Sequence, residues 1–209
     1  MQLNPEAFNS FLNGIGQSMA WRRAFACPCL NPHSGSPNPS CPTCSGKGRT
    51  WAAAVTGMSG IAGMKVQREW AQFGVWESGD TVLSIPSDSP LYAMGQFDRV
   101  VFSNASEPFS LSMTRGENDA LRFPVVAIDR VFWLNGSGAI VEGGIPTVSS
   151  AGALTWATGE PAAGAQYSIT GRQRPEYFVY QEMPSDRAFH SGATLPRRVV
   201  LRRYDLYGR

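Results

Sequence analysis

All four cysteines of the chain lie in one short segment, at positions Cys27, Cys29, Cys41 and Cys44. Their spacing is C-x-C, then eleven residues, then C-x-x-C. Two close pairs joined by a loop are typical of a tetrahedral site in which four thiolates bind one Zn²⁺. Because four thiolates complete the coordination shell, such a site is structural and has no position left for a water to be activated.

The residues around the cysteines suit a metal-organised loop. Pro28 and Pro42 stand inside the two pairs, where they restrict the backbone and lower the entropy lost on ordering. Gly46 and Gly48 follow the second pair and permit a tight turn with positive φ. The loop 31–40 contains almost nothing apolar, so we expect the metal to be its organising centre.

Other interpretations of the thiols stay open. His33 could replace one thiol as a ligand, although four cysteines already complete the shell. Two disulfides would need an oxidising compartment, whereas the N-terminal sequence lacks a basic start and an apolar segment. We therefore expect synthesis in a cytosol, where thiols stay reduced. A redox C-x-x-C normally begins a helix in a thioredoxin-like chain, and unlinked structural cysteines rarely cluster in this way.

The composition favours strands and turns over helices. The chain has 209 residues, with 22 glycines, 15 prolines and only 16% charged residues, against roughly 25% in an average soluble protein. So few charges suggest a surface that is partly covered by neighbouring subunits. The net charge of +2 is too small to imply nucleic-acid binding by itself.

The cations are nearly all arginines, since Lys47 and Lys65 are the only lysines among 18 cationic residues. Arginine is preferred where cations are held in interfaces, and a GC-rich gene would also favour it. The segment Arg197–Arg203 carries arginines on both faces of a predicted strand. We interpret it as an edge or interface strand rather than a nucleic-acid contact, because phosphate binding needs a wider basic patch.

The N-terminus predicts a short helix. Asn4 can cap it, Pro5 suits its first position, and Glu6 follows in the first turn. Apolar residues then recur at helical spacing: Phe8, Leu12, Ile15 and Met19. This helix either packs on the protein's own core or docks on a neighbouring subunit.

The rest of the chain is predicted to be mainly β, with a β-barrel or β-sandwich body. The extended segments are expected at 50–55, 64–75, 81–85, 96–102, 108–114, 125–134, 165–170, 176–181 and 198–203. A turn is expected at Asn135-Gly136 after the strongest strand. We divide the chain into a helix and zinc loop at 1–49, a barrel-like region at 50–122 and a sandwich-like region at 123–209.

The sequence has no recognisable catalytic constellation, so we expect a protein that is not an enzyme. His33 and His190 lie in polar loops, and the acids, such as Asp98, Asp129 and Glu142, are scattered. The chain has no nucleophile elbow, zinc-protease motif, P-loop or dinucleotide fingerprint. No apolar run approaches a membrane span, and we expect no membrane partner.

Parts of the sequence also resemble known families. The segment 41–48, "CPTCSGKG", resembles one C-x-x-C-x-G-x-G unit of the DnaJ-type zinc domain, which implies zinc chemistry alone. The N-terminal helix, the cysteine loop, "GDTVLSIPSDSPLYAMGQFDRVVF" and "LTWATGEPAAGAQYSITGRQRPEYFVY" together resemble virion proteins of tailed bacteriophages. The pattern W-x-x-G-x-P-x-x-G-x-x-Y-x-I within the last of these is its most suggestive part.

The phage resemblance implies a structural virion protein of the head–tail neck, of the connector, collar or head-completion type. It implies a homo-oligomeric ring, assembled in the host cytoplasm, that contacts neighbouring virion proteins and, as a further option, the DNA passing through its channel. The zinc loop and the helix would attach the ring to an adjacent protein. The alternatives are a tail or baseplate component, a zinc-dependent nucleic-acid-binding module, and a virion-associated hydrolase.

Overall fold

The computed structural model describes residues 4–183, 189–190 and 192–208. Two α-helices, two 3-10 turns and sixteen strands occur in these residues. They are α1 (Pro5–Ile15), β1 (Gln17–Arg22), β2 (Ala24–Ala26), β3 (Arg49–Trp51), β4 (Val55–Ile61), α2 (Met64–Ala71), β5 (Thr81–Ile85), a 3-10 turn (Pro90–Ala93), β6 (Arg99–Phe102), β7 (Glu107–Thr114), β8 (Val125–Leu134), β9 (Ile140–Glu142), β10 (Thr147–Val148), β11 (Leu154–Thr155), β12 (Gln166–Gln173), β13 (Glu176–Glu182), β14 (Phe189–His190), β15 (Ala193–Thr194), β16 (Arg197–Arg203) and a C-terminal 3-10 turn (Tyr204–Leu206). The prediction of a mainly β protein with a short N-terminal helix is confirmed.

The chain forms two compact units, and the first contains a closed barrel. This unit comprises residues 1–104 and 176–209. Its six barrel strands are all antiparallel in the order β1-β4-β5-β16-β13-β6, and β6 pairs again with β1 to close the ring. Leu83, Ile85, Val199 and Leu201 lie at alternate positions of β5 and β16 and are fully buried, and Val82 and Val200 on the opposite face are buried with Trp70 of α2.

The second unit comprises residues 105–175 and is built on a four-stranded sheet in the order β7-β12-β8-β9. Its core contains Met113, Leu121, Val131, Tyr167 and Ile169. Tyr167 and Ile169 alternate with polar residues along β12, which includes most of the segment 165–170 that was predicted to be extended. The long strand β8 has the same bounds, Val125–Leu134, as the sequence predicted.

The boundaries of the two units differ from those of the regions 1–49, 50–122 and 123–209 that were expected from the sequence. The barrel uses strands from both ends of the chain, and the unit at 105–175 is inserted between β6 and β13. Because β13 pairs with β6 across more than seventy intervening residues, this closure is a long-range contact. Local sequence patterns carry no signal for it.

The segment 64–75 was wrongly predicted to be extended. Residues Met64–Ala71 form the helix α2, in which Val66 and Trp70 point to one side at i, i+4 spacing. They pack against Ala62, Val82 and other buried residues of the barrel unit. Met, Lys, Gln, Arg, Glu and Ala in this segment are good helix formers, and the burial of Trp70 stabilises the short helix further.

The N-terminal helix begins as predicted and ends earlier. The Asn4 side chain accepts hydrogen bonds from the N–H groups of Glu6 and Ala7, and Pro5 follows at the first helical position. The helix ends at Ile15, because Gly16 is extended and the chain turns into β1. Met19 therefore lies in β1, where it is fully buried, and does not belong to the helix.

The proposed edge position of Arg197–Arg203 is also wrong. This strand, β16, pairs with β5 on one side and β13 on the other, so it is an interior strand of the barrel. Its arginines are held within the unit. Arg202 pairs with Asp80, and Arg197 pairs with Glu182 and donates to the carbonyls of Tyr92 and Met94.

The expected turn at Asn135-Gly136 is part of a longer connection. Residues 135–139 join β8 to β9, and the Asn135 side chain accepts hydrogen bonds from the N–H groups of Ser137 and Ala139.

Within the described residues, neither helix is long and apolar enough to cross a bilayer.

Candidate metal centre

The four cysteines lie in the loop of the hairpin formed by β2 and β3, which belongs to the barrel unit. Strands β2 and β3 pair in antiparallel fashion, with Ala26 opposite Arg49. The next pair of residues continues the ladder, since the Cys27 N–H donates to the Gly48 carbonyl at 2.9 Å. The pairing therefore places Cys27 beside Gly48, which follows Cys44 in the chain.

Tight turns hold each cysteine pair. The Leu30 N–H donates to the Cys27 carbonyl at 3.1 Å, and the Lys47 N–H donates to the Cys44 carbonyl at 3.0 Å. The turn at 44–47 has positive φ at Ser45 and Gly46, and Gly48 follows it with positive φ, the conformation predicted for both glycines. The Gly48 N–H also donates to the Cys44 Sγ at 3.3 Å.

The loop between the pairs is held by polar side chains. The Asn31 Oδ1 accepts hydrogen bonds from the N–H groups of His33 and Ser34, and the Asn38 Oδ1 accepts from the N–H of Ser40. These are local Asx turns, which fix the backbone without an apolar core. The thiols themselves form the small buried cluster of this region, with Cys27, Cys41 and Cys44 buried and Cys29 half-buried.

The four sulfurs have the separations expected around one metal ion. All four Sγ atoms lie within 4.8 Å of one another. The Cys27 and Cys41 sulfurs are 3.8 Å apart, and those of Cys29 and Cys44 are 3.5 Å apart. Metal–sulfur bonds of about 2.3 Å in a tetrahedron place the sulfurs about 3.8 Å apart. The cysteines are free thiols, so this cluster can bind a metal ion.

The thiols differ in how easily they lose a proton. The N–H groups of Cys44 and Thr43 lower the pKa of Cys41 to about 6, since they donate to its sulfur. The N–H of Asn38 lowers the pKa of Cys29, but burial and the bonds to the other thiols outweigh it and raise that pKa to about 12. Four adjacent thiolates repel one another, so a cation is needed to hold all of them ionised.

His33 lies apart from this cluster. Its side chain is exposed, and the cluster found among the described residues consists of the four cysteines alone. His190 is exposed in the short strand β14. The geometry therefore fits a site made of the four cysteines, without His33 as a ligand.

An aromatic cluster attaches the hairpin to the barrel unit. Trp51 at the end of β3 packs edge-on against Tyr204 and Tyr207, with ring centroids 5.7 and 5.9 Å apart, and its Nε1 donates to the Phe97 carbonyl at 3.1 Å. Tyr207 also packs on Phe178 of β13. We call these five residues the aromatic clamp.

Cations of the hairpin add to the clamp. The Lys47 Nζ lies 4.3 Å from the ring centroid of Tyr204, and the Arg49 guanidinium lies 4.4 Å from that of Phe97. Burial raises the pKa of Tyr204 to about 12. Sequence patterns did not predict this cluster, because Trp51 lies more than 100 residues before Phe178, Tyr204 and Tyr207.

The scattered acids act as structural hydrogen-bond acceptors. Asp98 is buried and accepts from the Trp21 Nε1 at 2.7 Å, the Ala24 N–H at 2.7 Å and the Gly95 N–H at 2.8 Å. It thereby ties the start of the hairpin to β1. Glu142 pairs with Arg130 on the surface of the second unit, where Asp129 is exposed.

The pattern that carried the phage resemblance has a structural role in the second unit. Trp156 packs edge-on against Tyr167 with ring centroids 5.9 Å apart, and both belong to the core of that unit. Gly159 and Gly164 adopt positive φ in the loop between them. The Gly144 N–H donates to the Gly159 carbonyl, at a point where a side chain on either glycine would collide with the backbone of the other segment.

Comparison with known proteins does not assign the chain to a family. No protein-family model matches the chain, and a search of curated proteins found no significant match. The site is therefore characterised by its own geometry: a four-thiol cluster on a hairpin that aromatic residues fix to a closed barrel.

Proposed function

We propose that the chain is a structural virion protein of a tailed bacteriophage, which forms a homo-oligomeric ring in the head–tail neck. In this proposal, the four thiols hold one structural Zn²⁺. The barrel unit forms the body of the ring, and the zinc hairpin and α1 provide attachment surfaces. The protein is not an enzyme, and it is found in the virion after assembly in the host cytoplasm.

The closed character of the thiol cluster is the observation that carries the proposal. Four sulfurs at tetrahedral separations fill every position around one ion. An ion held in this way shapes the hairpin and has no position for water or substrate. The arrangement therefore favours assembly over metal-dependent hydrolysis.

Zinc is the ion that best fits this donor set. Tetrahedral sites with four thiolates are typical of zinc and of iron–sulfur centres. The hairpin has tight turns, N–H donors to the sulfurs and mostly buried thiols, as structural zinc sites do. Bound zinc would fix the loop before docking and so reduce the entropy lost on assembly.

The barrel unit supports the assembly part of the proposal. The chain is only 16% charged, and several large apolar side chains of this unit are exposed. Exposed apolar patches mark surfaces that bind other proteins. The virion setting rests on the resemblance of the sequence to phage neck proteins, with a tail or baseplate position as the alternative within the same class.

A nucleic-acid-binding module is the rival of another class. Arg22 and Arg23 are exposed next to the hairpin, which favours a contact with phosphates. The hairpin cations Lys47 and Arg49, however, lie on aromatic rings of the clamp. The rival hypothesis predicts DNA binding by the purified protein that weakens steeply with salt, whereas a ring protein needs no such affinity.

Localisation tests the proposal directly. Antibodies against the purified protein should label the neck of tailed particles released from the cells that make the chain, as seen by immuno-electron microscopy. Mass spectrometry of the purified particles should detect the chain as a stoichiometric component. Its absence from all such particles would contradict the proposal.

A further inference from the structure

Strand β7 lies at one edge of the sheet in the second unit and pairs with β12 on one side only. This pairing covers the whole strand, Glu107–Thr114, without a register shift. Ser110, Leu111 and Ser112 in its middle are exposed, and among the described residues no other strand pairs with the open side. An edge of this kind offers N–H and C=O groups to another strand.

The other open edges of this sheet are protected, whereas β7 is not. Strand β9, at the opposite edge, has three residues and carries the charged Glu142. The part of β8 that extends beyond β9 carries Asp129 and Arg130 and has two register shifts against β12. Short length, charges and bulges all prevent edge strands from pairing. Between its second and last residues, β7 has neither a charge nor a bulge, so this edge is open to a partner strand.

The backbone groups of β7 alternate in direction. The Arg115 N–H donates to the Ala165 carbonyl at 3.0 Å and so continues the ladder with β12. Because bonded and non-bonded pairs alternate in an antiparallel ladder, the odd-numbered residues of β7 bond to β12 and the even-numbered ones face the open side. Thr114 is already satisfied there, since its N–H donates to the Asn118 Oδ1 and its carbonyl accepts from the Glu117 N–H.

The open side is therefore limited to a short window. Pro108 has no N–H and the N–H of Thr114 is used, so Ser110 and Ser112 are the positions at which both backbone groups can bond to another strand. Leu111 between them is 40% exposed. It lies on the same face of β7 as Phe109 and Met113, which belong to the core of the second unit. The window thus places donors and acceptors on both sides of one apolar residue.

We infer that two copies of the chain associate through β7, which pairs antiparallel with β7 of the second copy around a two-fold axis at Leu111. The two four-stranded sheets then form one continuous sheet. This inference does not rest on the proposed function, because a two-fold contact joins copies in pairs, whereas a ring is built by contacts between different surfaces.

The window is complementary to itself in this register. Ser110 of each copy lies opposite Ser112 of the other, so every free N–H and C=O of both serines is bonded. Pro108 lies opposite Thr114 of the second copy, so the residue without an N–H meets the residue whose groups are already used. Moving the axis to Ser110 or Ser112 would set a serine against Pro108 or Thr114 and leave one of its groups without a partner.

The side chains also match across the axis. Leu111 of one copy faces Leu111 of the other in a non-hydrogen-bonded pair, the kind in which side chains come closest. Phe109 lies opposite Met113 of the second copy, so pairing extends the apolar core across the axis. A contact through one strand buries less than the roughly 1,200 Å² of a stable interface. We therefore expect a dissociation constant of about 1 μM or weaker.

The charges at the two ends of β7 have opposite sign. Near Glu107, the cations Arg172 and Arg174 of β12 and the residue after it outnumber the acid. At the other end the acids outnumber the cation, in a group of four residues: Arg115, Glu117, Asp119 and Glu160. Antiparallel pairing brings opposite ends together, whereas parallel pairing would join like ends.

Analytical ultracentrifugation of the full zinc-loaded chain tests the association. Leu111→Lys sets two cations face to face at the axis and should weaken pairing at least about tenfold. Ser110→Pro removes an N–H that bonds only to the second copy, so it should weaken pairing while the sheet keeps its own bonds. Leu134→Lys, at an exposed leucine of the opposite edge, is the matched control and should pair like the original chain. A chain that is monomeric up to about 1 mM would overturn the inference, and so would unchanged pairing of both β7 variants.

Amide hydrogen exchange, measured residue by residue by NMR, tests the register. The amides of Leu111 and Met113 bond to β12 and should exchange slowly at every protein concentration. Those of Ser110 and Ser112 should slow with rising concentration, by about tenfold when nine-tenths of the chains are paired. Slowing without this alternation would overturn the register.

A cysteine at the axis tests the two-fold contact. Facing residues of a non-hydrogen-bonded pair have Cα atoms about 4.5 Å apart, a separation that a disulfide spans. In oxidised glutathione, which is reduced as the bond forms, Leu111→Cys should link two copies covalently. The more exposed Leu134→Cys and the original chain should not. Equal linking of both variants would overturn the contact.

The outcomes separate this inference from the proposed function. If Leu111→Cys links to another protein in the cells that make the chain and never to a second copy, β7 binds a different partner and the inference is wrong. If the purified chain pairs through β7 but is absent from every particle, the inference stands and the proposed function is wrong. A monomeric chain that is found in the neck of particles gives the reverse result.

Discussion

The cysteine hairpin and the barrel are stabilised by different means. The hairpin has local Asx turns, two tight turns and a buried cluster made of thiols. The barrel has fully buried aliphatic side chains such as Leu83, Val199 and Leu201. The difference shows where a metal matters. A closed barrel buries enough apolar surface to be stable, whereas a short polar loop needs an ion to order it.

Removal of thiols should give the largest difference between the hairpin and the barrel. Cys41→Ser with Cys44→Ser takes away two ligands, so the chain should lose its bound metal and the amides of 27–48 should lose protection from hydrogen exchange. The barrel amides should keep theirs, because that core does not depend on the metal. Thr43→Ala, between the two ligands, is the matched control and should retain one metal per chain. Global unfolding of the double variant would contradict the division between the two regions.

A cavity in the barrel should destabilise the barrel and leave the metal site unchanged. Leu83 is fully buried, and Leu83→Ala should lower the free energy of unfolding by about 2–5 kcal/mol in urea titrations. Metal content should not change. Leu134→Ala, at an exposed position, is expected to shift stability by less than about 0.5 kcal/mol. An equal effect of both substitutions would mean that the barrel interior does not determine stability.

The sequence could predict what depends on local patterns and on chemistry. The strands Thr81–Ile85 and Val125–Leu134 were predicted with the bounds that the structure has, because both are short runs rich in β-branched and apolar residues with turn residues beside them. The cysteine cluster followed from ligand spacing. The helix cap at Asn4 followed from side-chain chemistry.

What the sequence could not predict depends on distant contacts. The helix at Met64–Ala71 is held by Trp70, which packs with Val82 and Val200 of strands distant in the sequence. The barrel closes only when β13 and β16 return after the inserted unit. The aromatic clamp joins Trp51 to Tyr204 and Tyr207, and no residue pattern near Trp51 predicts these contacts.

Asp98 joins the two regions, and its substitution should affect both. The buried carboxylate accepts from Trp21 in β1 and from Ala24 at the start of the hairpin. Asp98→Ala leaves these donors without an acceptor and should cost about 3 kcal/mol in the free energy of unfolding. Hydrogen exchange should also increase at the base of the hairpin. The exposed Asp129→Ala is the control, and equal stabilities of the two variants would contradict the bridging role.

The smallest effect is expected at the helix cap. Asn4→Ala removes the acceptor for the N–H groups of Glu6 and Ala7 and should cost about 1 kcal/mol. The loss should appear as faster hydrogen exchange in the first turn of α1, with the hairpin unchanged. Asn4→Asp keeps an acceptor and should retain the protection; loss in that variant would mean that the cap bond is not what holds this turn.

X-ray absorption at the zinc edge tests the central claim most directly. Protein purified under reducing conditions should contain about one zinc per chain, bound by four sulfurs at about 2.3 Å. Substitution of His33 by alanine should leave the spectrum unchanged. A chain without zinc whose cysteines form two disulfides, or zinc with nitrogen or oxygen in its shell, would contradict the account.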